Sequence, residues 1–305
     1  MSQTPESLED ATTPDLAVIV VLYNSKERFL SLWDQLKAQS LRSWRLVLVD
    51  NASADGSGAA IQALDDGRID LVLNSTNVGF ARAVNQGVRR AHRANIHRYL
   101  LLNPDTFLTD NFLQQFLEIW VRNGWGIVVP RIMQSDDPTK AWYAGGHLDY
   151  GWVFQNRHDE YFEGSDMRSR EVGYASGCCL GLTQTALDRI GLFDESFFMY
   201  WEDVDFCMRL NAANEPIHYV PELVILHEGA ASSGGPHTLL TTYMTFRSYV
   251  ILLRKHFGLL TTLTTIGRVL RREQIRTGAA SAPVRVRAGA ALSGLTAPLH
   301  QIPQL

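Results

Sequence analysis

Between Leu16 and about Pro130, short Val-, Ile- and Leu-rich runs alternate with amphipathic stretches. This rhythm predicts an α/β chain built on a doubly wound, mostly parallel sheet. The runs lack the strict polar–apolar alternation of a half-exposed sheet, so they read as strands buried on both faces. The chain has 305 residues, 46% of them hydrophobic and 20% charged, which is ample for such a core and excludes a disordered polymer.

The strands are expected at 16–22 (LAVIVVL), 44–49 (WRLVLV), 69–73 (IDLVL), 99–102 (YLLL) and 127–129 (IVV). Phe80, Ala83, Val84, Gly87, Val88 and Ala91 share one helical face. Phe112, Leu113, Phe116, Leu117 and Trp120 share another. From Arg131 to about Gly173 the sequence turns aromatic, glycine-rich and polar. That texture predicts hairpins and loops, and long loops in a compact domain usually carry function. An apolar stretch follows at 174–182 (YASGCCLGL), then a short helix near 185–190. The segment GLFDESFFMY leads into a helix starting at Glu202. A strand pair is expected to bracket Pro221 up to His227, and a helix to cover 239–257. An amphipathic stretch then runs to Thr277, and the last residues, rich in Ala and Gly, are weakly patterned.

Residues 1–15 are acidic and polar without an apolar core, so they read as a short disordered arm rather than a secretion signal. No run reaches the ~18 apolar residues of a membrane span. Cys178, Cys179 and Cys207 form neither a disulfide framework nor a zinc-ligand spacing, and read as buried thiols. The net charge of −4 is unevenly spread: residues 242–305 hold nine Lys/Arg and one acid, Glu273, leaving −12 on the rest. An acidic body argues against nucleic-acid binding, and the basic tail suits an anionic surface such as lipid headgroups.

In a doubly wound sheet, ligands bind at the carboxyl ends of the strands. Those ends carry Tyr23-Asn24, Asp50-Asn51-Ala52-Ser53, the segment 74–79, and Asn103-Pro104-Asp105. Asp and Asn serve turns and caps, but their presence at all four edges exceeds that need. There is no glycine-rich dinucleotide loop and no Walker loop. Asp50 suits a hydrogen bond from a base or ribose, and Asp105 suits a hard divalent cation. Asn77-Val78-Gly79-Phe80 opens a helix whose amides, with Arg82 beside them, suit a pyrophosphate.

Three carboxylates, Glu202, Asp203 and Asp205, crowd a helix start after an aromatic loop. Asp205 fits an i,i+4 pair with Arg209. Asp203 shares the inward face with Cys207 and is a candidate general base. His227 ends a strand before a glycine- and serine-rich loop, where both a structural and a ligating role fit.

Taken together, these residues resemble glycosyltransferase family 2. The matches run from Val20-Val21-Leu22-Tyr23-Asn24 through Val49-Asp50-Asn51-Ala52-Ser53, Asp55-Gly56-Ser57 and Asn77-Val78-Gly79-Phe80-Ala81 to Asn85-Gln86-Gly87 and Leu102-Asn103-Pro104-Asp105. They continue through Gly191-Leu192-Phe193-Asp194-Glu195 and Glu202-Asp203-Val204-Asp205 to His227, so the resemblance covers 16–257. The form NPD, with FFMYWEDVDFCMR and LLRKHFG further on, looks most like the bacterial rhamnosyltransferase branch.

The resemblance implies the GT-A fold. It places a nucleotide-sugar-binding half at 16–130, an acceptor and catalytic half at 131–257 and a basic helical tail at 258–305. It also implies inverting transfer of a hexose from a nucleotide donor to a hydroxyl of a glycan or lipid-linked saccharide. The branch points to L-rhamnose from dTDP-rhamnose, used in cell-surface polysaccharide synthesis at the cytoplasmic side of the membrane. Tyr23, Asn24, Asp50, Asn77, Gly79, Arg82, Asn103 and Asp105 are implied on the donor, with Mg²⁺ or Mn²⁺ at Asp105 and His227. Asp203 matches the catalytic base, and Trp142, Trp201 and Glu202 fall on the acceptor side, with residues 142–152 and the Cys178–Cys179 stretch around them. Asn103 departs from the D-x-D motif, and an amide is the weaker cation ligand.

The same residues leave room for another donor such as a UDP-sugar, for a nucleotidyltransferase, or for a non-catalytic binding module. LYNSKERF is a poor nucleotidyltransferase loop, and retention of both Asp105 and Asp203 speaks against a dead module. The basic tail fits an anionic membrane or a homo-oligomer contact.

Overall fold

The structure, a computed structural model, describes residues 14–150, 155–158, 167–228, 238–277 and 282–305. Residues 1–13 of the arm, Trp152 and most of the loop after His227 lie outside them. The elements of the first half are β1 (Leu16–Leu22), α1 (Lys26–Ala38), β2 (Trp44–Asp50), α2 (Ser57–Gln62), β3 (Ile69–Leu73), α3 (Phe80–Arg93), β4 (Arg98–Leu102), β5 (Thr106–Phe107), α4 (Phe112–Asn123) and β6 (Ile127–Gln134). There follow β7 (Ala141–Tyr143), β8 (Gly146–Asp149), β9 (Gln155–His158), β10 (Arg170–Val172), β11 (Cys179–Thr183), α5 (Gln184–Ile190), α6 (Glu202–Ala212), β12 (Ile217–His227), α7 (Leu239–Thr277) and α8 (Ala282–Thr296).

Ten strands form one mixed sheet in the order β10-β12-β6-β11-β4-β1-β2-β3, with β5 paired to β12 and β7 to β6. The pairings of β1 with β2 and β4, of β2 with β3, and of β6 with β12 are parallel, while β11 runs antiparallel between β4 and β6. Most main strands therefore point one way, and their carboxyl ends gather along one edge. β1 and β2 are almost wholly buried, as the absence of alternation in LAVIVVL and WRLVLV requires. The apolar stripes of α3 and α4 pack into the same core.

Two expectations are corrected, and the helical tail expected at 258–305 gains its detail. The segment around Pro221 is a single strand, β12, whose register on β6 shifts between Val220 and Val224. A bulge there accommodates a residue with no N–H for the ladder. The strand expected at 127–129 continues to Gln134, because β6 pairs with β12 throughout and with β7 as well. The weakly patterned C-terminus forms α8, which packs along α7 through Ala290, Ala291 and Gly294. A Cβ at Gly294 would lie 2.7 Å from the Arg247 carbonyl, so the helices touch backbone to backbone. A face built of Ala and Gly produces almost no hydrophobic periodicity, which is why the sequence concealed it.

Residues 258–305 fold back onto the body. Arg254 donates to the carbonyls of Gly294 and Ala297, Leu192 N–H donates to Pro303, and His300 N–H donates to Ser196 Oγ. α7 is broken at Gly258 (φ 78°, ψ 170°).

Candidate active site

The edge at the ends of β1 and β2 is stitched by its own polar side chains. Asn24, with φ 50°, receives Ala54 N–H on its Oδ1 at 2.8 Å and donates its own amide to Ser53 Oγ. Asp55 accepts from Lys26 N–H and from Ser57. Tyr23 stands half exposed above this turn. Asp50 is buried at the end of β2, and its Oδ1 has no partner among the described residues.

Asn51 is a hub that the motif reading passed over. Its amide donates to the Gly79 carbonyl at 3.1 Å, and its Oδ1 accepts from Asn74 and from Val78 N–H. Asn77 closes a turn onto Gly79 N–H at 2.9 Å. Gly79 (φ 87°) presses against Phe198, where a Cβ would meet the carbonyl oxygen at 2.5 Å, and Phe80 N–H donates to that carbonyl at 2.7 Å. The first amide of α3 is thus committed within the protein. Arg82 is largely exposed and lies 3.7 Å from Glu195.

The loop after β4 turns back into the fold. Asn103 N–H donates to the Cys178 carbonyl, and Asp105 is buried beside His227. His227 Nε2 lies 3.2 Å from Asp105 Oδ1, a close approach without hydrogen-bond geometry. Asp105 Oδ1 and His227 Nδ1 have no hydrogen-bond partner among the described residues. Trp142 from β7 packs edge-on against the His227 ring at 4.7 Å, so an expected acceptor-side residue touches this pair. No group of three or more His, Cys, Asp or Glu side chains placed to hold a metal ion occurs among the described residues. The three cysteines are free and buried, and burial pushes their thiols up, away from nucleophilic or ligating chemistry.

Helix α6 presents Asp203 and Cys207 to the loop at 174–177, as their i,i+4 spacing predicts. Asp203 Oδ2 accepts from the Tyr174 hydroxyl at 3.0 Å and from Gly177 N–H at 3.3 Å, and Ala175 N–H meets Cys207 Sγ. Burial, then the Asp203 charge, hold the Tyr174 phenol well above its usual range, so it remains a donor. Tyr174 was missed because a lone tyrosine in an apolar stretch carries no motif. Gly177 lies against both Asp203 and the Phe80 ring, and Cys178 follows it, so the base candidate, the start of α3 and the Asn103 loop converge.

Glu202 is buried, and its Oε2 has no hydrogen-bond partner among the described residues. Burial first, then the neighbouring Asp203, raise its pKa well above the ordinary carboxylate range. Tyr200 and Trp201, which precede it, both hold positive φ (68° and 67°), a conformation costing about 1–3 kcal/mol each for non-glycine residues. The proximal half of α7 holds them there. Ser248 Oγ donates to the Met199 carbonyl at 2.8 Å, and Tyr249 packs on Trp201 at 4.8 Å. Asp205 pairs with Arg209 at 2.9 Å, as its spacing predicts, and also meets Lys255 and His256 of α7 at 2.7 Å each.

The profile of Glycosyl transferase family 2 matches residues 17–191, more than half of the chain. An N-acetylglucosaminyl-diphospho-decaprenol L-rhamnosyltransferase of Mycobacterium tuberculosis is 30% identical over 278 residues, covering 81% of this chain and 86% of that one. The dTDP-rhamnosyl transferase RfbF of Shigella flexneri is 21% identical, covering 79% and 81%. Among solved structures, a mannosyltransferase of Pyrobaculum calidifontis in complex with GDP-Man and Mn²⁺ superposes with a TM-score of 0.55 at 15% identity. It covers 93% of this chain and 87% of that one, and shares the fold. The fold is GT-A, and the chain belongs to glycosyl transferase family 2.

Proposed function

We propose that this protein transfers L-rhamnose from dTDP-rhamnose to a hydroxyl of a glycan or lipid-linked saccharide in cell-surface polysaccharide synthesis, with inversion at the anomeric carbon. The observation that carries the reading is the placement of Asp203. Its carboxylate is oriented by Tyr174 and Gly177 at the convergence of the α3 start and the Asn103–Asp105 loop. The names of the M. tuberculosis and S. flexneri relatives support rhamnose as the sugar.

In this reading Tyr23, Asn24 and the unpartnered Asp50 hold the nucleotide, while Asn77, Gly79 and Arg82 border the diphosphate. Asp203 takes the proton of the acceptor hydroxyl as that oxygen attacks the anomeric carbon from the face opposite the leaving diphosphate. Trp142, Trp201 and Glu202 line the acceptor side.

A divalent cation fits the remaining pair. Asp105 Oδ1 is buried without a hydrogen-bond donor, and His227 Nε2 stands 3.2 Å from it. Two adjacent ligands of one octahedral ion are about 3 Å apart. Asp105 and His227 would together hold Mn²⁺ or Mg²⁺, the carboxylate being the ligand that suits either ion. When bound, the ion neutralises charge building on the leaving diphosphate.

The test is binding and turnover of a panel of nucleotide sugars with Mn²⁺, with Mg²⁺ and with EDTA. Metal-dependent use of dTDP-rhamnose is the expected result. Use of a UDP- or GDP-sugar alone would replace the donor, and turnover undiminished by EDTA would overturn the role of Asp105 and His227.

A further inference from the structure

Beyond Gly258, α7 turns one face wholly to solvent. Leu259, Leu260, Leu263 and Ile275 are 62%, 78%, 48% and 78% exposed, far above core leucines of the same chain. With 3.6 residues per turn, Leu260, Leu263, Arg271 and Ile275 share an arc of about 120°. Arg268 and Arg272 flank it and are exposed as well. The opposite face carries Thr262, Thr265, Ile266 and Glu273, all buried. Glu273, the only acid between 258 and 275, is tied to Arg287 of α8. Among the described residues of α7 beyond Gly258, the outer face is therefore apolar and cationic and carries no exposed carboxylate.

We infer that this face of α7 docks on an anionic lipid surface, with the leucines entering the headgroup boundary and the arginines meeting lipid phosphates. No described helix is long and apolar enough to cross a membrane, so the contact is one of lying on the surface. Charge selects the occupant. A second copy of the chain pairing through the same face in two-fold fashion would bring two cationic faces together, whereas an anionic bilayer complements both chemistries at once.

The position of the face adds to the argument. Phe257, two residues before Leu259, touches Tyr150 beside the β8 hairpin at 6.2 Å, and Tyr249 touches Trp201 next to Glu202. From Tyr249 to Leu259 the backbone rises less than about 20 Å. A docked bilayer would thus lie beside the acceptor-side elements. The inference stands apart from sugar transfer, because binding is read with neither donor nor acceptor present.

The experiment is flotation of the full chain with phosphatidylcholine vesicles, alone or containing phosphatidylglycerol, at low and high salt. The expected result is selective, salt-sensitive binding to the phosphatidylglycerol vesicles. Arg271→Gln with Arg272→Gln should weaken that binding about thirtyfold, at the usual contribution of a surface arginine. Leu259→Ser, Leu260→Ser and Leu263→Ser together should abolish it, and the highly exposed Leu260→Ser alone serves if the triple variant does not fold. Failure of the full chain to bind, or equal binding by folded variants, would overturn the inference. It would fall equally if the leucine variants converted a dimer to a monomer in light scattering while vesicle binding stayed unchanged, since the occupant would then be a second copy.

Discussion

Lys255 of α7 and Asp205 of α6 meet at 2.7 Å, and the carboxylate has no exposed surface. The same ammonium lies 2.7 Å from Asp194, also fully buried. One cation thus ties the helix that starts with Glu202 and Asp203 both to α7 and to the loop before it. The proximal part of α7 therefore belongs to the framework that positions α6.

Removing that cation leaves buried negative charge. Asp205 keeps Arg209 and His256, but Asp194 keeps only neutral donors such as Ser196 N–H among the hydrogen bonds described. Lys255→Met should destabilise the fold by about 3–5 kcal/mol, the usual result of breaking one side of a buried pair. Urea unfolding is the measurement, with Lys255→Arg as the milder control. An unchanged midpoint for Lys255→Met would refute the framework role.

Acid should weaken the same junction. Burial raises the Asp205 pKa, but the His256 hydrogen bond and the charges of Arg209 and Lys255 outweigh it and hold it at about 2. A depressed folded pKa stabilises above the unfolded value, near 3.8, and that stability is lost as pH falls toward 2. The unfolding free energy of the wild type should therefore fall more steeply over this interval than that of Asp205→Asn. Parallel slopes would place the acid sensitivity elsewhere.

Glu202 carries the opposite sign. Its raised pKa means the folded chain holds a proton that the unfolded chain releases above about 4.5, so the wild type loses stability as pH rises past that value. Glu202→Gln keeps the neutral shape. It should match the wild type near pH 4 and exceed it at about pH 8 by at least about 1 kcal/mol, one pKa unit. Thermal melts at the two pH values test this, and a variant less stable at both would show that the carboxyl is ionised and partnered.

These groups mark the limit of what the sequence discloses. Strands such as LAVIVVL and the stripe of α3 were legible because burial on both faces, or on one, writes itself as periodicity. The spacing of Asp203 with Cys207 and of Asp205 with Arg209 was legible because one helix sets it. Tyr174 on Asp203 and Lys255 on Asp205 were not legible. They join residues 29 and 50 positions apart through pairings that only the fold supplies. Asn51 stands within a motif, yet its bonding to Gly79, Asn74 and Val78 needs two loops in place.

Replacing Asp203 by Asn retains an acceptor for Tyr174 and removes the proposed base. Turnover should fall by about 10²–10⁴, the usual contribution of a general base, with donor affinity nearly unchanged. Both effects are separable by pairing transfer kinetics with calorimetric binding of the donor. Transfer at the wild-type rate would remove Asp203 from the mechanism and reopen the reading as a binding module.

Gly79 faces two demands at once, a positive φ and a backbone neighbour. A methyl group would sit 2.5 Å from the Phe198 carbonyl, so it can be accommodated only if the loop before α6 moves away or α3 begins differently. Either response breaks the Phe80–Phe198 hydrogen bond. The strained φ alone costs on the order of 1–3 kcal/mol, and the contact adds to it. Gly79→Ala should therefore lower stability by at least about 2 kcal/mol. Because the same loop leads to Trp201 and Asp203, it should also depress turnover and donor binding together. Urea unfolding and donor titration of one preparation check both parts. A variant that loses stability but keeps full donor affinity would show that the start of α3 does not border the nucleotide.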